Sequence, residues 1–120
     1  MGSIHLTDRF LEYLEEVYQF SITEWDEIVA DKYLLGIETA LNLLQENSEI
    51  LVHRPSISNR FLTHPVNNHW LICEVIGDQI FGLTLLHSSL NVLERLQKYE
   101  PSLEKEAQAL FNQLSNKRNY

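Results

Sequence analysis

Apolar residues recur at helical spacing through the first part of the chain. One stripe includes Phe10, Leu14 and Val17, lies opposite a run of glutamates and is preceded by Thr7, a residue that suits an N-cap. A second stripe has spacings of four and three residues and fades after residue 46. Its members are Ala30, Leu34, Ile37, Leu41 and Leu44. The two stripes predict an antiparallel helical hairpin, with Thr23 capping its second helix and Gly36 as the weak point of that helix.

The periodicity changes after Val52. Residues 60–64 predict a short strand before a turn at Asn67-Asn68, residues 69–75 alternate between two faces, and residues 80–87 form a mostly apolar strand. Gly77-Asp78 is typical of a tight hairpin turn, because glycine accepts a positive φ. A short stretch at residues 4–6 precedes the helices and suits an edge strand.

Two further helices are expected after the strands. Ser88 or Ser89 can cap a short helix that includes Leu96, and Pro101 fits the first turn of a last helix. The order predicts a single α+β domain over residues 1–120: an N-terminal strand, a helical hairpin, a three-stranded antiparallel meander and extra C-terminal helices. Helices covering mainly one face of the sheet would leave the other face open for function.

Charge is distributed unevenly along the chain. The net charge is −8, and residues 1–50 alone carry eleven acidic and two basic side chains, whereas residues 51–95 are neutral and contain four histidines. An acidic balance disfavours generic binding to nucleic acid or to an anionic membrane. The single cysteine, Cys73, leaves no internal disulfide and suggests a reducing, cytoplasmic setting. Its place in an alternating apolar strand predicts a buried, inert thiol.

Several segments resemble the RelE/ParE superfamily of toxins from bacterial toxin–antitoxin, or plasmid stabilisation, modules, and more closely its ParE branch. These segments are Ile4-His5-Leu6-Thr7, residues 14–20, Trp25, Ala30, Tyr33, residues 41–44, Asn47, Arg60, His69-Trp70-Leu71-Ile72, residues 75–80 and Leu85-Leu86-His87. The similarity spans residues 4–95 and rests on order and spacing. It implies a RelE/ParE-like core at 4–95 and an added helical segment at 96–120.

The resemblance implies a toxin that inhibits a cellular target, DNA gyrase, and is neutralised by a cognate antitoxin. The alternatives are a RelE-like, ribosome-dependent mRNA endonuclease and a degenerate member that retains only protein binding. Two positions depart from the family pattern: Cys73 and Glu74 stand where an aromatic and a basic residue are usual. The strand region between residues 51 and 94 contains two arginines, Arg54 and Arg60. This is too little positive charge to favour RNA cleavage.

The resemblance to this superfamily suggests candidate site residues. For a nuclease, Arg60 would hold the phosphate while His64 and His87 act as acid and base, provided that these strand-end residues converge on one sheet face. The alternative is that Arg60 pairs with an acidic residue of a helix. A zinc site at His53, His64 and His69 lacks supporting ligands.

A partner-binding surface is the preferred interpretation of the same region. Trp70 and Ile72 lie on the strand face away from the presumed core, where exposed apolar groups mark partner sites unless the C-terminal helix covers them. The predicted set comprises Arg54, Arg60, His69, Trp70, Ile72 and His87. We expect an antitoxin and DNA gyrase as partners, RNA or the ribosome only under the nuclease alternative, no membrane, no cofactor, no metal, and room for a homodimer.

Overall fold

The computed structural model describes residues 3–88 and 91–118. The elements follow in the order β1 (Ile4–Leu6), α1 (Asp8–Glu24), α2 (Glu27–Glu46), a short 3₁₀ helix (Ser48–Ile50), β2 (Val52–His53), β3 (Leu62–Val66), β4 (His69–Ile76), β5 (Gln79–His87) and α3 (Val92–Arg118). The α+β architecture predicted from the sequence is confirmed, and no described helix has the length and apolar character needed to cross a membrane.

The helical hairpin forms as predicted, but one of its caps differs. Thr7 caps α1 by accepting a hydrogen bond from the backbone N–H of Phe10, as the sequence indicated. The N-cap of α2 is Asp26, whose Oδ1 accepts from the N–H of Val29 at 2.8 Å. Thr23 remains inside α1 and bonds back to the carbonyl of Gln19. A carboxylate immediately before the helix is the stronger cap, so the connection shortens to Trp25-Asp26.

The five strands form one sheet in the order β1-β5-β4-β3-β2. The β3-β4-β5 meander is antiparallel, whereas β1 runs parallel to β5. β2 was not predicted, because a two-residue edge strand has no periodicity to detect. Both predicted turns are present: Asn67, Asn68 and Gly77 adopt the positive φ that tight turns require.

Gly36 permits a close approach between α2 and the β3–β4 turn. A side chain there would collide with the amide group of Asn67, which donates to the carbonyl of Tyr33 at 3.1 Å. The absence of a Cβ therefore lets the β3–β4 turn lie against α2, where Asn67 lines a cleft between the turn and the helices.

The sheet has a buried core on each side. The face toward α1 and α2, here called the hairpin face, packs Leu71, Cys73 and Leu85 against the hairpin. The other face, here called the α3 face, packs Phe61, Ile72, Phe81, Leu83 and Leu86 against α3. The alternation predicted for β4 is confirmed, since Leu71 and Cys73 lie on one face and Ile72 on the other. The expectation that one sheet face stays open is wrong.

The C-terminal region is one continuous helix, whereas two were expected. Pro101 lies inside α3 and interrupts a single backbone hydrogen bond at a cost of about 3 kcal/mol. The apolar stripe runs through the proline without a change of phase and buries Val92, Leu96, Leu103 and Ala107 against the sheet. This burial outweighs the proline. Ser88 lies in a turn before the helix, and Ser89 falls outside the described residues.

Two ion pairs fix α3 to the rest of the protein. Arg9 at the start of α1 forms a bidentate pair with Glu106, the shortest contact being 2.8 Å. Arg60, before β3, pairs with Glu104 at 2.9 Å. Both pairs are partly exposed, so they orient the helix more than they stabilise it.

A candidate docking cleft on the hairpin face

The residues predicted from sequence to form one site are divided between the two sheet faces. His64 lies opposite Leu71, and His69 lies opposite both Val66 and His87, which places all three histidines on the hairpin face. Arg60 lies on the α3 face with Ile72. The expectation that Arg60 and His87 converge on one face is therefore wrong, because Arg60 precedes β3 and pairs with Glu104 of α3, whereas His87 lies opposite His69 on the hairpin face.

Arg60 is held by carboxylates. The buried Ser58 hydroxyl accepts from the backbone N–H groups of Arg60 and Phe61, which fixes the loop before β3. The guanidinium then pairs with Glu74 of β4 and with Glu104 of α3, and both contacts raise its pKa, that with Glu74 the more. Pairing with an acidic helix residue was the alternative interpretation of Arg60, and it is confirmed. Glu74, one of the two departures from the family pattern, is one of its two partners.

The other site candidates on the α3 face are Arg54, Trp70 and Ile72. Arg54 donates from Nη1 to the carbonyl of Thr63 at 2.6 Å and to its hydroxyl at 3.0 Å. Its guanidinium carbon lies 5.3 Å from the ring centroid of the half-buried Trp70, a cation–π arrangement. Ile72 is completely buried beneath α3, so it is not the exposed group that the sequence suggested.

The largest cavity described on this chain lies on the hairpin face and measures about 880 Å³. It opens between the end of α1, the start of α2, the β3–β4 turn and the end of β5. Its apolar lining comes from Tyr13, Val17, Phe20, Trp25, Val29 and Tyr33. Phe20 is 62% exposed and Trp25 71%, so two large aromatic side chains border an open cleft.

Local structure places these aromatics at the mouth. Trp25 is the C-cap of α1, and its N–H donates to the carbonyl of Ser21 at 2.9 Å. Asp26, the next residue, is the N-cap of α2, so Trp25 lies in the two-residue connection between the helices, where its side chain is exposed. Tyr18 and Asp31 join the two helices across the hairpin with a 2.7 Å hydrogen bond.

The floor of the cleft is polar. The hydroxyl of Tyr33 lies 2.7 Å from Nδ1 of His69, and the carbonyl oxygen of Asn67 lies 3.0 Å from the same nitrogen. The ring of His87 meets that of His69 edge-on at 5.0 Å. Burial lowers the pKa of His69 and His87 lowers it further, against the carbonyl of Asn67, which raises it. His69 is therefore uncharged at neutral pH.

Burial shifts the pKa of both His64 and Cys73. Burial, and after it the nearby Arg54 charge, lower the pKa of the half-buried His64. Cys73 is completely buried, and burial raises the pKa of its thiol to about 12, which confirms the inert cysteine expected from the sequence. Across residues 3–88 and 91–118, no three His, Cys, Asp or Glu side chains are grouped so as to hold a metal ion.

Most of the residues that line the cleft were not among the predicted site residues, and these include the whole apolar lining: Tyr13, Val17, Phe20, Trp25, Val29 and Tyr33. A signal for some of them was present. Phe20, Trp25 and Val29 lie off the apolar stripes, at positions where an amphipathic hairpin would ordinarily carry polar groups. Large apolar residues that break a helical pattern indicate a surface with a further role.

The comparisons with known proteins agree with this fold. The family model described as "ParE toxin of type II toxin-antitoxin system, parDE" matches residues 4–92. A solved structure, "Chromosomal ParDE TA system from P. aeruginosa", is similar at 20% identity with a TM-score of 0.64, covering 72% of this chain and 96% of that chain. Curated proteins give no significant match. Because the family match spans well over half of the 120 residues, the chain belongs to the ParE toxin family of type II toxin–antitoxin systems.

Proposed function

We propose that the protein is a cytoplasmic toxin that inhibits DNA gyrase by binding it, and that a cognate antitoxin neutralises it. Membership of the ParE family supports a toxin, and the name of the P. aeruginosa structure, a ParDE system, supports an antitoxin partner. The mode of action, binding in place of RNA cleavage, rests on one observation: Arg60 is paired with Glu74 and Glu104 on the α3 face.

That observation weighs against the nuclease alternative. A site that cleaves RNA needs cationic and acid–base groups gathered around one phosphate. Arg60 is neutralised by two carboxylates, and the sheet separates it from His64, His69 and His87. Arg54 contacts Thr63 and Trp70. A protein target requires no such cluster.

The experiment compares two activities of the same purified chain. We expect inhibition of gyrase supercoiling and no ribosome-dependent cleavage of mRNA, together with growth arrest on induction that co-expression of an adjacent antitoxin gene relieves. The control variant is Arg60→Met, which keeps the length of the side chain and should keep the inhibition. RNA cleavage that disappears in Arg60→Met would contradict the proposal.

A family member that retains only protein binding is the second candidate. It is favoured by α3, because the helix fully buries Ile72 and so removes a sheet face from contact with any target. In that case induction would not arrest growth, gyrase would remain active and the antitoxin would still bind.

A further inference from the structure

We infer that α3 covers a protein-binding face of the sheet, and that its part after Pro101, residues 102–118, here called the distal segment, moves aside when the protein target docks there. This deepens the proposed function, on which it rests for the existence of a protein target. The occupant of the uncovered face is a helix of the target with the chemistry of α3: apolar side chains on one side, and carboxylates that face Arg9 and Arg60.

The face beneath α3 has the apolar character of a protein interface. The family match ends at residue 92, so the 27-residue helix α3 lies beyond it apart from its first residue. Without α3, five apolar side chains that are now at most 4% exposed would face water: Phe61, Ile72, Phe81, Leu83 and Leu86. A contiguous apolar face of this kind marks a site of protein contact. In this chain α3 supplies the cover that a core ending at residue 92 would leave to a partner.

The charges around this face match those of the helix that covers it. Arg9 pairs with Glu106 at 2.8 Å, and Arg60 pairs with Glu104 at 2.9 Å. On the sheet, Glu74 also pairs with Arg60, in a position where the superfamily usually has a basic residue. A basic residue there would repel Arg60, whereas the carboxylate holds it beside α3. The face therefore selects an apolar helix that also carries carboxylates.

The two halves of α3 are held to the sheet in different ways. Before Pro101 the helix is held by the buried Val92 and Leu96; after it, by Leu103, Ala107 and both arginine–glutamate pairs. Proline removes one helical hydrogen bond, which makes its position the natural hinge. Partly exposed ion pairs contribute little. Opening at Pro101 therefore exchanges apolar contacts for equivalent contacts with the target and leaves the first half of the helix in place.

Hydrogen exchange of the full chain measures this opening. A released helix of this length is marginal in water, so residues 103–114 should exchange faster than residues 96–100, at rates independent of protein concentration. Equal rates along α3 would overturn the hinge. Rates that change with protein concentration would show exchange of α3 between two copies and would overturn the movement within one chain.

Matched variants assign the opening to the hinge and the ion pairs. Glu104→Gln combined with Glu106→Gln should speed exchange in the distal segment by about two- to fivefold. Pro101→Ala should slow it, because alanine restores the missing hydrogen bond. The control is Glu100→Gln, on the same helix, whose carboxylate is in neither pair and whose exchange should be unchanged. An equal effect of the control variant would count against the role of the pairs.

A covalent link tests whether the covered face is the binding face. Arg60→Cys with Glu104→Cys places thiols on the two sides of a native contact, where a short bis-maleimide can bridge them, and the completely buried Cys73 does not compete. The linked protein should inhibit gyrase about tenfold less than the same variant before linking. The control link, between Glu104→Cys and Gln108→Cys, stays within α3 and should leave the inhibition unchanged.

A second readout does not depend on gyrase. A fluorescent peptide with the sequence of residues 102–118 should bind the unlinked protein and not the form linked across the sheet, and lysine in place of its two glutamates should weaken binding. Equal peptide binding by both forms, equal inhibition by both forms, or equal loss of inhibition with the control link would overturn the inference. An unlinked chain that binds the peptide but does not inhibit gyrase would overturn the proposed target and leave the covered face standing.

Discussion

The two faces of the sheet differ in what covers them. The α3 face is closed by a helix that buries four apolar residues of its own and is fixed by two ion pairs. The hairpin face is covered by α1 and α2 over most of its area but opens at the hairpin end into a cleft bordered by exposed aromatic side chains. Apolar side chains thus stabilise the fold on one face and remain available for contacts on the other.

The largest expected effect is on the closed face. Leu103→Ala removes a fully buried side chain from the contact between α3 and the sheet and should lower the free energy of unfolding by about 2–5 kcal/mol. Urea denaturation measures the change. Leu35→Ala on α2 is the exposed control, and a comparable loss in that variant would remove the distinction between the faces.

A fall in pH should destabilise the hairpin face before the α3 face. The pKa of both His64 and His69 is lowered in the folded protein, so the unfolded chain binds protons more readily once the pH falls below about 6.5. Stability is therefore full above that pH and declines as the pH falls toward the depressed values. Hydrogen exchange at pH 7 and pH 5 should show the hairpin face losing protection before α3.

The control for that experiment is a substitution of His69, whose ring is surrounded by aromatic and charged groups. Tyr13 of α1, Tyr33 of α2 and His87 of β5 meet its ring, and Glu16 and Lys32 also line the cleft. His69→Asn should flatten the decline of stability with acid. An unchanged decline would assign the effect to other groups.

A smaller effect is expected for the ion pairs of the closed face. Arg60→Met removes both pairs of a side chain that is 43% exposed and should cost at most about 1 kcal/mol, since exposed ion pairs contribute little. Chemical denaturation at low and high salt measures it. A loss of several kcal/mol would mean that the pairs, and not the apolar contact, hold α3 in place.

The smallest effect on stability should come from the cleft itself. Phe20→Ala truncates a side chain that is 62% exposed, and the free energy of unfolding should change by no more than about 0.5 kcal/mol. The same substitution should weaken partner binding strongly. If it destabilised the protein as Leu103→Ala does, Phe20 would belong to the core.

Much of the fold follows from local pattern. The hairpin stripes, the turns at Asn67-Asn68 and Gly77, and the alternation of β4 depend on neighbours a few residues apart, so they could be predicted. The α2 cap was misplaced because Thr23 and Asp26 both fit a helix start, and the choice depends on where α1 ends. The candidate site was predicted less well, because the side of the sheet on which Arg60 lies depends on its distant partners Glu74 and Glu104, and such long-range pairing cannot be seen in one sequence.

The sequence by itself determined the succession of an N-terminal strand, a helical hairpin and a strand meander, together with the acidity of the hairpin and the burial of Cys73, since each follows from local periodicity or composition. Tertiary structure alone decided that α3 continues through Pro101 and covers the second face of the sheet. The reason is energetic: burying Leu96, Leu103 and Ala107 together outweighs one lost hydrogen bond. That packing separates Arg60 from the histidines, while the hairpin-face cleft stays open and is bordered by exposed aromatic side chains.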